Sequence, residues 1–475
     1  MILALDQGTT STRALIVDAG GRARTLLSRP HRQIYPRPGW VEHDPEELIA
    51  NLAACIAAAG AEAPLAAGLA NQGESCLAWE AGTGRPISPV IVWQDARTED
   101  ICARLRAEGA EVLTLAVAGL PLDPYFSASK LGWLLRELPE ARALAAAGRL
   151  RLGTTDAFFL ERLTGRFVTD ITTASRTSLM NLERGEWDAD LCALFGVPVE
   201  CLPQIVPSLG VFGTLPGGLT LNASLVDQQA ALYGHGCRAP GDAKITFGTG
   251  AFALAVTGAL LRPGVGGPLP TVAWQKVGAA PVHALEGGVY CASSAVNWAR
   301  GLGLFSEFRE IADFAAPPAL DRGLAFVPAL SGLACPHWNR AARGAWLGLG
   351  LDTSPADMMQ ALLEGVALRS AEVIAAMDRV QPVGSPVSID GGMSANDYFC
   401  QFLADVLTRE VIASDEPELT AVGIAALAAE GAGVPITARR SGRTASPRAD
   451  AAALLPARRA RFAAARAAVE GYAAS

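Results

Sequence analysis

Carboxylates, hydroxyls, amides and glycines come together at three points of this sequence. Asp6-Gln7-Gly8-Thr9-Thr10-Ser11 follows the apolar run Ile2-Leu3-Ala4-Leu5 and precedes Ala14-Leu15-Ile16-Val17-Asp18, so it reads as the turn of a β-hairpin. A turn of small residues after a strand exposes backbone N–H groups, which bind phosphate oxygens. Gly8 permits the tight turn, Thr9, Thr10 and Ser11 add hydroxyls, and Arg13 follows within reach of the same phosphates. Asp6, at the strand end, is placed to hold Mg²⁺ through water, since that ion takes oxygen ligands and keeps several waters. A second strand–turn–strand unit runs from Lys244 to Val256 around Gly248-Thr249-Gly250; it has no acid and can only cradle. Either unit alone is also what an ordinary hairpin looks like. Two copies, one with an acid at the strand end, point to a pair of turns gripping a polyphosphate from two sides. The third point is Val226-Asp227-Gln228-Gln229, an acid and two amides after the apolar strand Ser224–Val226. A carboxylate there can orient an alcohol and accept its proton. It can equally cap a helix over Gln228–Tyr233, and the two roles are compatible.

The elements that must hold these groups follow from pattern and length. At roughly 150 residues per domain, 475 residues allow about three domains or two large ones. The repeated hairpin favours two related domains, with a boundary near 235–241, where Gly234, Gly236, Pro240 and Gly241 cluster. Asp44 before Pro45 starts a helix predicted over Pro45–Ala59. Further helices are predicted over Ala356–Val380 and Ala421–Glu430. Strands alternating with helices give an α/β class with mostly parallel or mixed sheets. The C-terminal Arg458-Arg459-Ala460-Arg461 run reads as the solvated face of a last helix.

Composition excludes several functions. The charge is 39 − 47 = −8, and only 18% of residues are charged against 50% hydrophobic. A net acidic chain has no bulk attraction to nucleic acid or anionic lipid. No run of about 20 apolar residues suggests a membrane span. The N-terminus reads as strand and turn rather than as a secretory leader. The nine dispersed cysteines read as reduced core residues of a cytosolic protein. None of the three lysines, Lys130, Lys244 and Lys276, sits in a Walker-type loop, so any nucleotide is bound by other means.

Asp6-Gln7-Gly8-Thr9-Thr10-Ser11 resembles the first phosphate motif of the FGGY carbohydrate kinases, and within them of the glycerol kinases. The resemblance continues through the segments Gln33–Pro45, Tyr125–Trp133, Asp227–Leu232, Gly344–Glu364 and Asp390–Asn396, in the family's order. It implies two ribonuclease-H-like, actin-type ATPase domains flanking a catalytic cleft, over residues 1–236 and 237–475. It implies a kinase that uses ATP and Mg²⁺ to phosphorylate a small polyol or sugar, with Asp227 as the catalytic carboxylate. Carried over by position, the acceptor pocket comprises Glu74, Trp93, Tyr125, Asp227, Gln228 and Phe252. Acids and amides there would meet hydroxyls, and aromatic faces would pack on C–H groups. Thr9, Thr10, Ser11, Arg13, Gly248, Thr249 and Gly250 fall on the phosphates, Asp6 on the metal. Ser293, Asn297, Gly391, Gly392 and Asn396 fall on the adenosine. For Trp93, Tyr125 and Phe252 ordinary core packing is the alternative, and for Gly391-Gly392 a plain strand-to-helix turn. The assembly is left open, a homodimer included.

Three features depart from the glycerol kinase pattern. Asn71-Gln72-Gly73-Glu74 has Gly where the pattern has Arg, which removes a planar set of donors and takes a positive neighbour from Glu74. Trp93-Gln94-Asp95-Ala96-Arg97 carries Asp95, as in family members acting on larger sugars; Asp95 would then join the acceptor pocket, or else cap a helix over Arg97–Arg106. Together these suggest a polyol or ketose other than, or besides, glycerol, such as a xylulose- or erythritol-type acceptor. The stretch Gly213–Thr220 has no Lys or Arg to meet a bisphosphate, so no inhibition by fructose 1,6-bisphosphate is expected. Two other classes share the phosphate turns, an actin- or chaperone-type ATPase and a silent sugar or nucleotide sensor. The first has no need of Trp93, Tyr125 and Asp227-Gln228 together, and the retained Asp6 and Asp227 speak against the second.

Overall fold

A computed structural model describes residues 1–437 and 440–474. In the first half, strands β1 (Ile2–Gln7), β2 (Ser11–Val17) and β3 (Ala23–Pro30) form a meander. Helix α1 (Pro45–Ala59) leads to β4 (Ala67–Asn71). After a long insertion come β5 (Leu209–Thr214), β6 (Thr220–Val226) and α2 (Asp227–Gly234). The second half contains β7 (Ala243–Phe247), β8 (Ala251–Gly258), β9 (Leu269–Trp274) and β10 (Val282–Val289). Then follow α3 (Ser293–Gly301), α4 (Pro355–Asp378), β11 (Val387–Gly391) and α5 (Asp397–Leu407). The chain closes with β12 (Val411–Ser414), α6 (Leu419–Gly431), β13 (Gly442–Ala445) and α7 (Ala451–Ala474).

The two main sheets correspond strand for strand. The first runs β3-β2-β1-β4-β6-β5 and the second β10-β8-β7-β11-β12-β13, with β9 added outside β10. In each, the first three strands pair antiparallel, the next two join in parallel, and the last is antiparallel. The repeated hairpin of the sequence is thus the middle of a repeated sheet. Central β1 is buried at every position, as expected for a strand covered on both faces.

The helix limits follow local chemistry. Asp44 accepts hydrogen bonds from the Glu46 and Glu47 N–H groups and Pro45 opens α1, a cap that contributes about 1 kcal/mol. Its buried Leu48, Leu52, Cys55, Ile56 and Ala59 form one stripe. Ser354 and Asp357 cap the first turn of α4 reciprocally. All nine cysteines are buried and free, as the sequence suggests.

Two placements escape sequence pattern. Helix α6 lies in the second half of the chain but packs on α2 and on strands β1, β4 and β6 of the first sheet, forming one core with them. The contact is close because it is made of small residues: a Cβ on Gly423 would stand 1.7 Å from the Ala230 carbonyl oxygen, and one on Gly234 2.0 Å from that of Leu419. The arginine run of α7 is a correction to the solvated-face reading. Arg459 is exposed, but Arg458 is buried, with Nη2 2.6 Å from the Asp321 carboxylate. Arg461 donates to the Leu320 carbonyl oxygen at 2.5 Å. These contacts dock the helix on the loop before β-structure at Ala325–Val327. Among the described residues no helix is long and apolar enough to cross a membrane.

Candidate active site

The two Gly/Thr turns are the β1–β2 and β7–β8 connections, each held from behind through its carbonyl groups. The Thr9 carbonyl oxygen accepts from Gln33 Nε2 at 2.8 Å and stands 2.8 Å from His31 Nε2, and the Thr10 carbonyl accepts from the His31 N–H. The Thr249 carbonyl accepts from the N–H groups of Ala292 and Ser294 and from Ser294 Oγ. Gly250 has no room for a side chain, since a Cβ would stand 2.7 Å from the Val289 carbonyl oxygen. Asp6 ends β1 beside the first turn. Arg13 is not free there: Nη2 lies 2.5 Å from Asp6 Oδ2, and Nη1 lies 2.6 Å from Glu418 Oε2 in the second half of the chain.

One hydrogen bond joins the first turn to an aromatic group. Trp93 Nε1 donates to Thr9 Oγ1 at 3.1 Å. The Trp93 ring meets Tyr125 and Phe252 edge to face, with centroids 5.7 and 6.4 Å apart. Three rings drawn from residues 93, 125 and 252 therefore form one wall, with Phe252 supplied by β8 of the second half.

Asp227 is the first residue of α2, half-buried, and its Oδ1 accepts from the Gln228 N–H at 2.6 Å. Burial, followed by the charges of Asp6 and Glu74, pushes its carboxyl up to about 7. Val226 is the residue before the helix, and no side chain caps this terminus, so the expected capping role of Asp227 is reduced to its bond with its own neighbour. The Gln228 side-chain oxygen accepts from Lys244 Nζ at 2.6 Å, and Thr246 Oγ1 lies 2.9 Å from the same ammonium. This leaves the Gln228 amide NH₂ as its remaining donor.

Glu74 is buried with φ +60°, a left-handed conformation uncommon for a side-chain-bearing residue, and Ser127 Oγ donates to its carbonyl at 2.9 Å. The expectation that Glu74 lacks a positive neighbour is corrected. Arg176 Nε donates to Glu74 Oε1 at 2.6 Å, and Arg176 Nη2 to Glu286 Oε1, on β10, at 2.7 Å. Burial raises the pKa of Glu74 and Arg176 opposes that shift. Burial also works against the Arg176 charge, but Glu286 and Glu74 outweigh it and its pKa stays above the ordinary value.

Asp95 is a second correction. It is buried and accepts from the Val41 N–H at 2.7 Å, the Arg97 N–H at 2.9 Å and the Arg97 guanidinium. Both oxygens are committed to the frame under the pocket, leaving none for an acceptor. Nor does it cap the following helix, which spans Glu99–Ala107 behind Thr98.

A cavity of about 590 Å³ lies at the start of α3 and the β11–α5 connection, lined by Ser293, Asn297, Gly392 and Asn396 together with Phe308 and Leu363. Ser293 Oγ donates to the Phe247 carbonyl, tying the cavity to the second turn. The Asn396 amide is engaged at both ends, accepting from the Phe399 N–H and donating to the Ile311 carbonyl, so it shapes the wall through its backbone and surface. Gly391, just outside the lining, has φ +89°, and a Cβ there would stand 2.3 Å from the Phe247 carbonyl oxygen. On the expectation that this cavity holds adenosine, Gly391→Ala displaces the second turn and raises the KM for ATP about tenfold, a change of roughly 1.4 kcal/mol, while the acceptor KM is unchanged. Steady-state kinetics with each substrate varied in turn check this.

Residues 1–227 match the N-terminal domain, and residues 243–432 the C-terminal domain, of the FGGY family of carbohydrate kinases. The chain belongs to this family. It is 45% identical over 446 residues to the glycerol kinase of Thermus brockianus, with 91% of this chain and 90% of that one covered. It is 43% identical over 449 residues to the glycerol kinase of Citrifermentans bemidjiense, with the same coverage. The crystal structure of Plasmodium falciparum glycerol kinase with ADP superimposes with a TM-score of 0.90 at 28% identity, over 98% of each chain. As an FGGY kinase the protein is a phosphotransferase with an alcohol group as acceptor, and it uses ATP as phosphate donor for a small polyol or sugar. The ATPase and sensor readings are thereby set aside.

Motif reading missed four charged residues in this FGGY site: Arg176, Glu286, Lys244 and Lys130. Lys130 is fully buried beneath the wall, its Nζ 3.1 Å from the Tyr125 carbonyl oxygen. A signal existed for two of them. Arg176 is the only charged residue between Asp170 and Glu183, and Glu286 the only Asp, Glu, Lys or Arg between Lys276 and Arg300. A lone charge in an otherwise uncharged stretch is buried only with a partner.

Proposed function

We propose that the preferred acceptor is glycerol, phosphorylated at one of its hydroxyls in the cytoplasm, and that Asp227 is the base. The observation that supports this reading is the Trp93–Thr9 hydrogen bond, which joins the aromatic wall to the first turn, together with Asp227 standing near enough to Asp6 and Glu74 to feel their charges. The glycerol kinases among the relatives favour the same acceptor.

In this reading residues 1–236 carry the acceptor pocket and the first turn, and residues 237–475 the second turn and the adenosine cavity. Thr9, Thr10, Ser11 and the Gly248-Thr249-Gly250 turn hold the phosphates of ATP. Trp93, Tyr125 and Phe252 pack on the C–H faces of the polyol, and Glu74 and the Gln228 amide bond its hydroxyls. Asp227 Oδ aligns the attacking hydroxyl with the γ-phosphorus and takes its proton as the O–P bond forms and ADP leaves. Closure of the two halves excludes water, which would otherwise compete as acceptor.

The residues present suit Mg²⁺. Among the described residues no three His, Cys, Asp or Glu converge on one point, and Asp6, beside the turn, is paired with Arg13 through Oδ2. One carboxylate fits an ion that draws its other ligands from water and substrate phosphates. Mg²⁺ held at Asp6 would neutralise charge on the β- and γ-phosphates.

A second reading, a larger polyol or ketose, is favoured by Gly73, where an added Cβ would meet only Val226, at 3.1 Å. A coupled ADP-release assay decides between them, with glycerol, erythritol and xylulose as acceptors and Asp227→Asn as blank. The expected result is the highest kcat/KM with glycerol. A higher value with xylulose or erythritol transfers the assignment to the larger acceptor.

A further inference from the structure

We propose that Arg176 recognises the hydroxyls of the acceptor in place of the arginine absent at position 73, with Glu286 of the second half holding it in position. The inference rests on the kinase reading above and names the residue that sets its specificity.

Arg176 is 1% exposed, and its guanidinium is fixed at two of its three nitrogens, by Glu74 on one side and Glu286 on the other. The third, Nη1, is shielded from solvent and makes no direct hydrogen bond among the described residues, with the Tyr125 side chain close enough to act on the guanidinium. A buried cationic N–H left unpaired is costly, and native proteins keep one where a water, ion or ligand completes it. The surroundings identify the ligand. The guanidinium carbon stands 5.7 Å from the centroid of Tyr125, a member of the aromatic wall, and the bonded Glu74 is an acceptor-pocket residue in strained backbone. A planar fork anchored at two points presents its remaining donors in a fixed direction, which suits hydroxyl recognition better than a mobile ammonium.

Two carboxylates, Glu74 and Glu286, flank one guanidinium, and the buried Lys130 and Lys244 ammonium groups stand near enough for their charges to act on Glu74 and Glu286 respectively. The cluster therefore presents both donors and acceptors to the hydroxyls of a polyol. Because Glu286 belongs to β10 of the second half, one of the two contacts that fix Arg176 is made only while the two halves stand together.

The test uses the whole enzyme, with glycerol and erythritol as acceptors and ATP varied separately. Arg176→Lys keeps the charge and loses the fork. It is expected to raise the acceptor KM roughly tenfold or more while leaving the KM for ATP within about twofold. Glu286→Gln is expected to raise the acceptor KM less than Arg176→Lys does, since it weakens only one of the two contacts that hold the guanidinium. The double variant Gly73→Arg with Arg176→Met is expected to regain acceptor affinity relative to Arg176→Met alone; thermal melting of each variant monitors folding. Arg176→Lys with an unchanged acceptor KM but a lowered melting temperature would make Arg176 a purely structural ion pair and overturn the inference alone. Wild-type enzyme that releases no acceptor-dependent ADP overturns the kinase reading and the inference with it.

Discussion

Asp227→Asn lowers kcat by about 10²–10⁴-fold, the range that a positioned general base contributes, with little change in the KM for ATP. The substitution keeps the shape of the side chain and its contact with the Gln228 N–H, and removes only the ability to take a proton. The pH profile gives an independent check. Burial, then the negative charges of Asp6 and Glu74, raise the Asp227 carboxyl to about 7, while the Gln228 N–H and the Lys244 ammonium oppose them. With Asp227 as the proposed base the active form is the carboxylate, so a raised pKa shortens the active range from the acid side. Log kcat/KM is therefore level above about pH 7 and falls with unit slope below it, reporting the free enzyme. Activity that stays flat down to pH 5 would show that Asp227 is not the base. A fall with the same midpoint in Asp227→Asn would assign it to another group.

Gly423→Ala destabilises the fold by about 3 kcal/mol or more, because nothing near it can yield cheaply. The atom met by the new Cβ, at 1.7 Å, is the Ala230 carbonyl oxygen, and the Gly234 nitrogen follows at 2.6 Å. Both belong to the backbone of α2, the helix that begins with Asp227. Relief requires α2 and α6 to move apart, opening the core that α6 shares with the first sheet. A thermal melt is expected to show a clearly lowered midpoint. The variant is expected also to lose activity below that midpoint, since moving α2 moves Asp227. An unchanged midpoint would mean that the helices pack less closely than described.

The features readable from sequence are those fixed by neighbours in the chain. The hairpins around Gly8 and Gly248–Gly250 follow from glycines between apolar runs, and the start of α1 from Asp44-Pro45. What escaped was set by partners far along the chain. Arg176 meets Glu74 and Glu286 across 102 and 110 residues, and no spacing rule spans such distances. Gly73 invited the expectation of a pocket poorer in positive charge, yet a guanidinium arrives from another segment. Asp95 resembled a ligand because its residue type and motif were right; only its neighbours, the Val41 N–H and the Arg97 guanidinium, reveal that both oxygens are engaged. Arg458 erred in the opposite direction, a charge in a basic run that is buried against Asp321.

Arg13 carries a last consequence. Its guanidinium bonds Asp6 in the first half and Glu418, the residue that precedes α6, in the second. On the proposal that the first turn holds phosphate, a phosphate there would draw on the same donors, which would make nucleotide and Glu418 rivals for one cation. Rivalry of this kind is reciprocal: whatever affinity the Glu418 contact takes from the phosphate, the phosphate takes from that contact. On that proposal the arrival of ATP would be felt at the foot of α6, the helix that fastens the second half of the chain to the sheet of the first.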